Sequence, residues 1–260
     1  MSRTKPWSRT RIVACGITSA IAVTRETVTG AHVGTSGFSY PAWRPGFYPA
    51  GARPKDFLRL YAERLASVEL NTSFYQLPAA EQFARWAAET PAGFRFAVKM
   101  SRRITHAGGL GQIGAFCERV RALGNRLGPV LVQFPPTRQR DDGLLRSFLD
   151  SVDPGLSYAF EFRDDSWAAP EVDRALDAAG AARVGSLTGA AGFRYLRLRE
   201  PPYDEAILAG WADRLGPVLE SGIEVWCYFK HEDEPTAPLY AERLVELLSS
   251  RGPASARRRA

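Results

Sequence analysis

Eight short runs rich in β-branched, aromatic and aliphatic residues recur along the chain. Between most of them the apolar positions shift from alternation to helical spacing. The strand-like runs are Ala31–Thr35, Ser67–Leu70, Phe94–Met100, Val130–Phe134, Tyr158–Arg163, Ala182–Leu187, Phe193–Arg199 and Glu224–Lys230. The helical segments between them carry apolar faces such as Phe57, Leu58, Tyr61 and Leu65 after Pro54, and Phe83, Trp86 and Ala87 after Pro78. Further faces are Ile113, Phe116, Val120, Leu123 and Leu127, then Leu144, Leu145, Phe148 and Leu149. Val172, Ala175, Leu176 and Ala179 follow, closed by Gly180 as a C-cap; Ile207, Leu208, Trp211, Leu215 and Leu219 precede the last strand, and Leu239, Leu244 and Leu247 follow it.

Thr188–Gly192 alone separates the sixth and seventh runs, too short a span for a crossover helix. This order predicts an α/β fold: a single (β/α)8 TIM-like barrel in which the helix between strands six and seven is missing or replaced by a loop, and part of the sixth run is itself loop. A doubly wound open sheet is the alternative, but no G-x-G-x-x-G turn follows the first run. The barrel domain is placed at residues 31–250, after an irregular extension at 1–30 and before a basic, disordered tail at 251–260.

Strand parity then sorts the polar residues, because barrel strands alternate between lumen and helix layer and active sites lie at the C-terminal strand ends. Glu69 and Asn71 share a face, as do Glu161 and Arg163, Arg197 and Arg199, and Tyr228 and Lys230, while Lys99 and Gln133 occupy the equivalent positions of strands three and four. The expected site has Glu69 and Glu161 facing each other across one pocket as acid and base. Ser36, Asn71, Tyr75, Lys99, His106, Gln133, Arg163, Arg197, Arg199, Tyr228 and Lys230 are expected to contact the ligand. An internal ion-pair network joining Glu161 to Arg163 or Arg197 is the structural alternative.

Charge adds to this. The formal net charge is +6, but Arg3, Lys5, Arg9, Arg11, Arg251, Arg257, Arg258 and Arg259 lie in end segments without acids. Removing those eight leaves −2 for residues 12–250. The expected mouth instead carries five cations, Lys99, Arg163, Arg197, Arg199 and Lys230, against two carboxylates, so a small anionic ligand is expected there. Nucleic acid is suggested weakly, by the basic termini alone. Three cysteines far apart, without C-x-x-C spacing, fit a reducing cytoplasm, and no stretch is long and apolar enough to span a membrane. Arg3–Arg11 and the apolar Ile12–Ile17 have the look of a secretory leader, but the apolar run is interrupted and no cleavage site follows.

No cofactor is expected. A divalent metal at His231, Glu232, Asp233 and Glu234 is the minor reading, since that run fits a solvated turn after the last strand. Phe38, Tyr40, Trp43, Tyr48, Phe74, Tyr75 and Trp167 form either a stacking wall for a ligand or a loop mini-core. No nucleophile elbow, Walker loop or H-E-x-x-H occurs. Two functions stand: an enzyme (hydrolase, lyase or isomerase) using two carboxylates on a polar or anionic carbohydrate-like or nucleotide-like molecule, or a non-catalytic ligand- or nucleic-acid-binding protein.

Gly34-Thr35-Ser36-Gly37-Phe38-Ser39-Tyr40, Val68-Glu69-Leu70-Asn71, Phe96-Ala97-Val98-Lys99, Leu131-Val132-Gln133-Phe134-Pro135-Pro136 and Phe160-Glu161-Phe162-Arg163 with Ser166-Trp167, in this order, resemble the DUF72 (YecE-like) family over residues 31–248. The resemblance implies a TIM-like barrel and no established activity. Many members carry a histidine and glycine after strand seven and paired asparagines after strand eight. This chain has Leu198-Arg199-Glu200-Pro201 and Phe229-Lys230-His231-Glu232 instead, which resembles another branch and adds positive charge to the mouth.

Overall fold

A computed structural model of the chain describes residues 28–230 and 234–251. Its elements run in the order β1 (Ala31–Ser36), α1 (Phe57–Ala62), β2 (Ser67–Leu70), α2 (Thr72–Tyr75), α3 (Ala80–Ala88), β3 (Arg95–Lys99), α4 (Arg102–Thr105) and α5 (Ile113–Val120). There follow β4 (Leu127–Gln133), α6 (Asp142–Ser151), β5 (Tyr158–Glu161), α7 (Pro170–Ala178), β6 (Ala182–Arg183), β7 (Phe193–Leu198), α8 (Glu205–Glu220), β8 (Glu224–Phe229) and α9 (Thr236–Arg251). The strands pair in parallel in the order β6-β5-β4-β3-β2-β1-β8-β7, a barrel closed everywhere except between β6 and β7.

Two separate apolar clusters follow from strand parity. Val33, Val68, Leu70, Phe96, Val98, Val130, Val132, Phe160, Leu196, Val225 and Cys227 face the helices, whereas Ala97, Leu131, Ala159, Ala182, Phe193, Tyr195, Trp226 and Tyr228 fill the lumen. The lumen packs by size: alanines from β3, β5 and β6 leave room for the aromatic rings of β7 and β8, so its middle is solid core. Gly34 permits one close approach on the outer side. A Cβ there would collide with the Ser67 carbonyl, and without one the Tyr61 hydroxyl accepts from the Thr35 amide and donates to the Ser67 carbonyl, both at 2.9 Å.

Caps lie where the chain chemistry puts them. Asp141 and Asp204 accept from the amides of Leu144 and Ile207, each at 2.8 Å, to start α6 and α8, and Gly180 ends α7 at φ +65°. Three details depart from the periodicity. Leu127 belongs to β4, because the chain after α5 tightens into a 3-10 segment, Arg121–Arg126, that Gly124 breaks at φ +57°. Leu239 and Ile207 point to solvent, while Leu208, Ala212 and Leu215 of α8 and Leu244, Leu247 and Leu248 of α9 supply the buried faces. Only Ala182 and Arg183 of the sixth run are strand, as its neighbouring loop implies.

Where a helix is missing, one side chain organises the loop. Arg194 is buried, and its guanidinium donates to the carbonyls of Leu187 (2.9 Å), Gly189 (2.8 Å), Ala191 (2.7 Å) and Phe193 (2.9 Å). A single backbone bond, Gly185 amide to Tyr195 carbonyl at 2.9 Å, crosses the open seam nearby. Arg194→Met strips four carbonyls of a charged donor and is expected to cost about 2 kcal/mol. Amide hydrogen exchange should then accelerate in residues 186–192 first; uniform acceleration across the barrel would contradict this local role.

Candidate functional site

The registers explain how the mouth assembles. Ser36 lies beside Glu69 across β1 and β2, and Gln133 beside Glu161 across β4 and β5, so each pair of side chains leaves the lumen at one level. Lys99 ends β3 and Arg197 is the penultimate residue of β7.

Glu69 is fully buried and surrounded by donors. The Ser36 hydroxyl donates a short hydrogen bond to Oε1, Arg197 Nη2 donates to Oε1 at 3.0 Å, and the Tyr195 hydroxyl donates to Oε2 at 2.8 Å. Burial alone would raise its carboxyl, but the Arg197 guanidinium and these hydrogen bonds overcome that and hold it below the usual carboxylate range. Glu69 is thus a fixed anion. The expected pocket between two acids is occupied instead by Arg197, whose other nitrogen, Nη1, reaches Glu161 Oε2 at 2.6 Å. Glu161 also meets Arg199 Nη1 at 3.3 Å and Arg163 Nε at 3.4 Å, so it is shared by three guanidiniums. The carboxylates do not face each other across open space; an ion-pair ladder spans the barrel.

The remaining sequence-chosen residues divide. Asn71 donates to Ser36 Oγ at 3.0 Å, and Gln133 accepts from Arg163 Nη2 at 3.1 Å, which places both in the ladder. Lys99 sits beside it, 8% exposed, with its ammonium 3.8 Å from the centre of the Phe74 ring. His106 packs edge-on to that ring at 5.1 Å and hydrogen-bonds Thr105 through Nδ1; burial, then the charges of Lys99, Arg102, Arg138 and Arg163, lower its pKa. Tyr228 lies a layer below, buried, its hydroxyl 2.7 Å from Ser67 Oγ, so it supports the floor and does not line the mouth. Tyr75 is 71% exposed on the rim, and the Lys230 side chain is exposed beyond β8. His231, Glu232 and Asp233 lie outside the described residues, as do the segments 1–27 and 252–260; among the described residues no group of three or more His, Cys, Asp or Glu side chains gathers.

The aromatic residues also divide. Trp43 and Tyr48 are buried in a loop mini-core with Phe47 and Phe57, and Trp167 is buried against Phe162 at 4.6 Å. Phe74 alone of that set touches a cation of the mouth. A groove of about 480 Å³ beside the β1 and β2 loops is lined by Phe38, Tyr40, Asn71 and Trp86 and borders the site.

Tyr195 is the functional neighbour that sequence reading passed over. It shares the parity of Arg197 one step earlier, and extending the face by two residues would have found it. Lys99 stands out electrostatically. Burial first, then Arg197, lowers its pKa to about 8, with Glu69 and Glu161 opposing only in part. Among the described residues no carboxylate lies within ion-pair distance of it. Two buried side-chain atoms of the mouth, Asn71 Oδ1 and Arg163 Nε, lack a hydrogen-bond partner.

No helix among the described residues is long and apolar enough to cross a membrane. The barrel resembles solved DUF72 family proteins from Thermotoga maritima (TM-score 0.73, 22% identity, covering 84% of this chain and 99% of that one) and Enterococcus faecalis (TM-score 0.71, 19% identity, 84% and 95%). In sequence it is 32% identical over 138 residues to UPF0759 protein YecE of Escherichia coli K12, covering 51% of this chain and 48% of that protein. It is 30% identical over 136 residues to UPF0759 protein YunF of Bacillus subtilis, covering 47% and 48%. These alignments span about half the length of the relatives. The family described as "Protein of unknown function DUF72" matches residues 32–259, nearly the whole described barrel, and the chain belongs to it.

Proposed function

We propose that the C-terminal mouth of the barrel binds a small polar anion, a phosphate or carboxylate on a carbohydrate-like or nucleotide-like frame. The observation that carries this reading is the charge imbalance of the ladder: among the described residues, Lys99, Arg163, Arg197 and Arg199 share the two carboxylates Glu69 and Glu161, and none lies within ion-pair distance of Lys99. Four buried or half-buried cations sharing two anions repel one another, as the lowered pKa values of Lys99 and Arg199 reflect after burial itself. A bound anion relieves that repulsion. Arg163 Nε, which meets Glu161 at 3.4 Å without a hydrogen bond, and Asn71 Oδ1, without a hydrogen-bond partner among the described residues, add a donor and an acceptor for the polar frame.

Within this reading the two carboxylates have different roles. Glu69 is saturated with donors and serves to orient Ser36, Tyr195 and Arg197. Glu161, buried but less completely than Glu69 and held by arginines alone, is the carboxylate nearer the rim, so any acid/base work falls to it.

Thermal-shift and calorimetric titrations with matched phosphorylated and neutral sugars test this. The phosphorylated member of each pair should stabilise the chain, an effect that rises with concentration by mass action. Arg163→Gln or Arg199→Gln should weaken it about tenfold each, the loss of one charge-assisted hydrogen bond. Equal binding of the neutral sugars would refute the reading.

A further inference from the structure

Among the described residues Lys99 is the one primary amine at the ion-pair ladder, in a chain that uses amines sparingly. The 34 basic side chains include four lysines, Lys5, Lys55, Lys99 and Lys230. Every other cation of the ladder is arginine, which stays charged at any physiological pH, whereas lysine can shed its proton and become a nucleophile.

The surroundings of Lys99 are those of a reactive amine. It ends β3 at the C-terminal face, where strand-end side chains meet the ligand. The two nearby carboxylates are occupied by arginines, so among the described residues no counter-ion within ion-pair distance fixes its charge. Its ammonium lies on the face of Phe74, which accepts no proton and shields one side from water. With a pKa of about 8, roughly a tenth of the amine is neutral at pH 7, far more than for a solvated lysine. Arg163 and Arg199, both half-buried beside Glu161, leave guanidinium edges to hold an acidic group.

We propose that Lys99 forms an imine with the aldehyde or keto group of an anionic substrate whose phosphate or carboxylate is held by Arg163 and Arg199. This rests on the anion reading above and narrows it to carbonyl compounds. The neutral Nζ lone pair adds to the carbonyl carbon, and the C=O π pair moves to oxygen, which takes up a proton. The nitrogen of this carbinolamine gives up its protons as the C–O bond breaks and the C=N bond forms. The carbonyl oxygen and two amine hydrogens leave as water, and no oxidant or reductant is consumed. His106, held neutral at the edge of the same ring, and Glu161 are the nearby groups able to take and return the protons. Protonation of the imine nitrogen by one of these groups gives an iminium, which draws electrons from the adjacent carbon, the chemistry of lyases and isomerases.

Reductive trapping tests this on the full chain. Incubation with glyoxylate and cyanoborohydride at pH 7, followed by peptide mapping, should place a carboxymethyl group on Lys99 roughly tenfold ahead of Lys5, Lys55 or Lys230. Inorganic phosphate should suppress it, and propanal, which lacks the acid, should show no such preference. Modification of the other lysines with Lys99 spared overturns the proposal. If phosphate still stabilises the chain in that case, the anion reading survives without the imine. If phosphate neither stabilises the chain nor protects Lys99, the anion reading itself falls. Lys99→Arg should keep phosphate stabilisation and lose the adduct; an adduct persisting at the mouth would also overturn the assignment. The mapping of the wild-type chain stands even if that variant folds poorly.

Discussion

Arg197→Met should destabilise the barrel by about 3–5 kcal/mol in urea unfolding, the usual loss when one partner of a buried ion pair is removed. The size follows from what remains. Glu69 is 0% exposed and would keep only the Ser36 and Tyr195 hydroxyls as donors, while Glu161 would lose its shortest contact, at 2.6 Å. The pH dependence should change sign as well. In the parent the Glu69 carboxyl lies below its ordinary 4.5, so its contribution is present above that value and lost as pH falls through the lower folded one. Without Arg197, burial dominates and raises the carboxyl. The folded chain then holds more protons than the unfolded one above pH 4.5, and stability falls as pH rises. A cost below about 1 kcal/mol with an unchanged slope is what an exposed pair would give, and would contradict the ladder.

Lys99→Met should act in the opposite direction on stability while removing function. The folded-state pKa of about 8 lies below the ordinary 10.5, so below pH 8 the native chain carries an ammonium it would rather release, and stability rises between those two values. Methionine fits the same volume without the charge. The variant should be more stable at pH 7 by on the order of 1–2 kcal/mol, a value reduced for solvent screening at the rim, and its stability should no longer rise between pH 8 and 10.5. It should also lose the stabilisation given by inorganic phosphate. Gain of stability with loss of binding marks a group retained for function at the expense of the fold. A less stable variant that still responds to phosphate would assign Lys99 to structure.

The barrel was legible in the chain because its signals are local and repeated. Period-two runs carrying Glu69, Lys99, Gln133, Glu161 and Arg197 near their C-terminal ends put each side chain on the lumen face, and the clusters of the fold follow that parity. The five-residue span Thr188–Gly192 likewise announced the missing helix. Parity assigns a face and gives no height or partner, which is why Tyr228, on the correct face, reads as a ligand contact although it lies a layer below with Ser67. The same gap leaves the choice open between a ligand pocket and the ion-pair network of Glu161 with Arg163 and Arg197, which is the arrangement found, with Arg197 standing between Glu69 and Glu161. Two carboxylates on facing strands look alike whether a ligand or a guanidinium separates them, and only the side-chain path across the lumen distinguishes the two. Arg194 was invisible for another reason: its four carbonyl partners belong to a loop whose conformation no periodicity encodes.

Four lysines make the electrostatics of the mouth directly observable. With lysine labelled at Cε by ¹³C, the protein should give four titrating signals, one of which, assigned to Lys99 by its loss in Lys99→Met, has its midpoint near 8. Addition of inorganic phosphate should move that midpoint upward, because a bound anion favours the ammonium, and leave the other three unchanged. Four signals all titrating near 10.5, or a Lys99 signal indifferent to phosphate, would contradict an anion site organised around this amine.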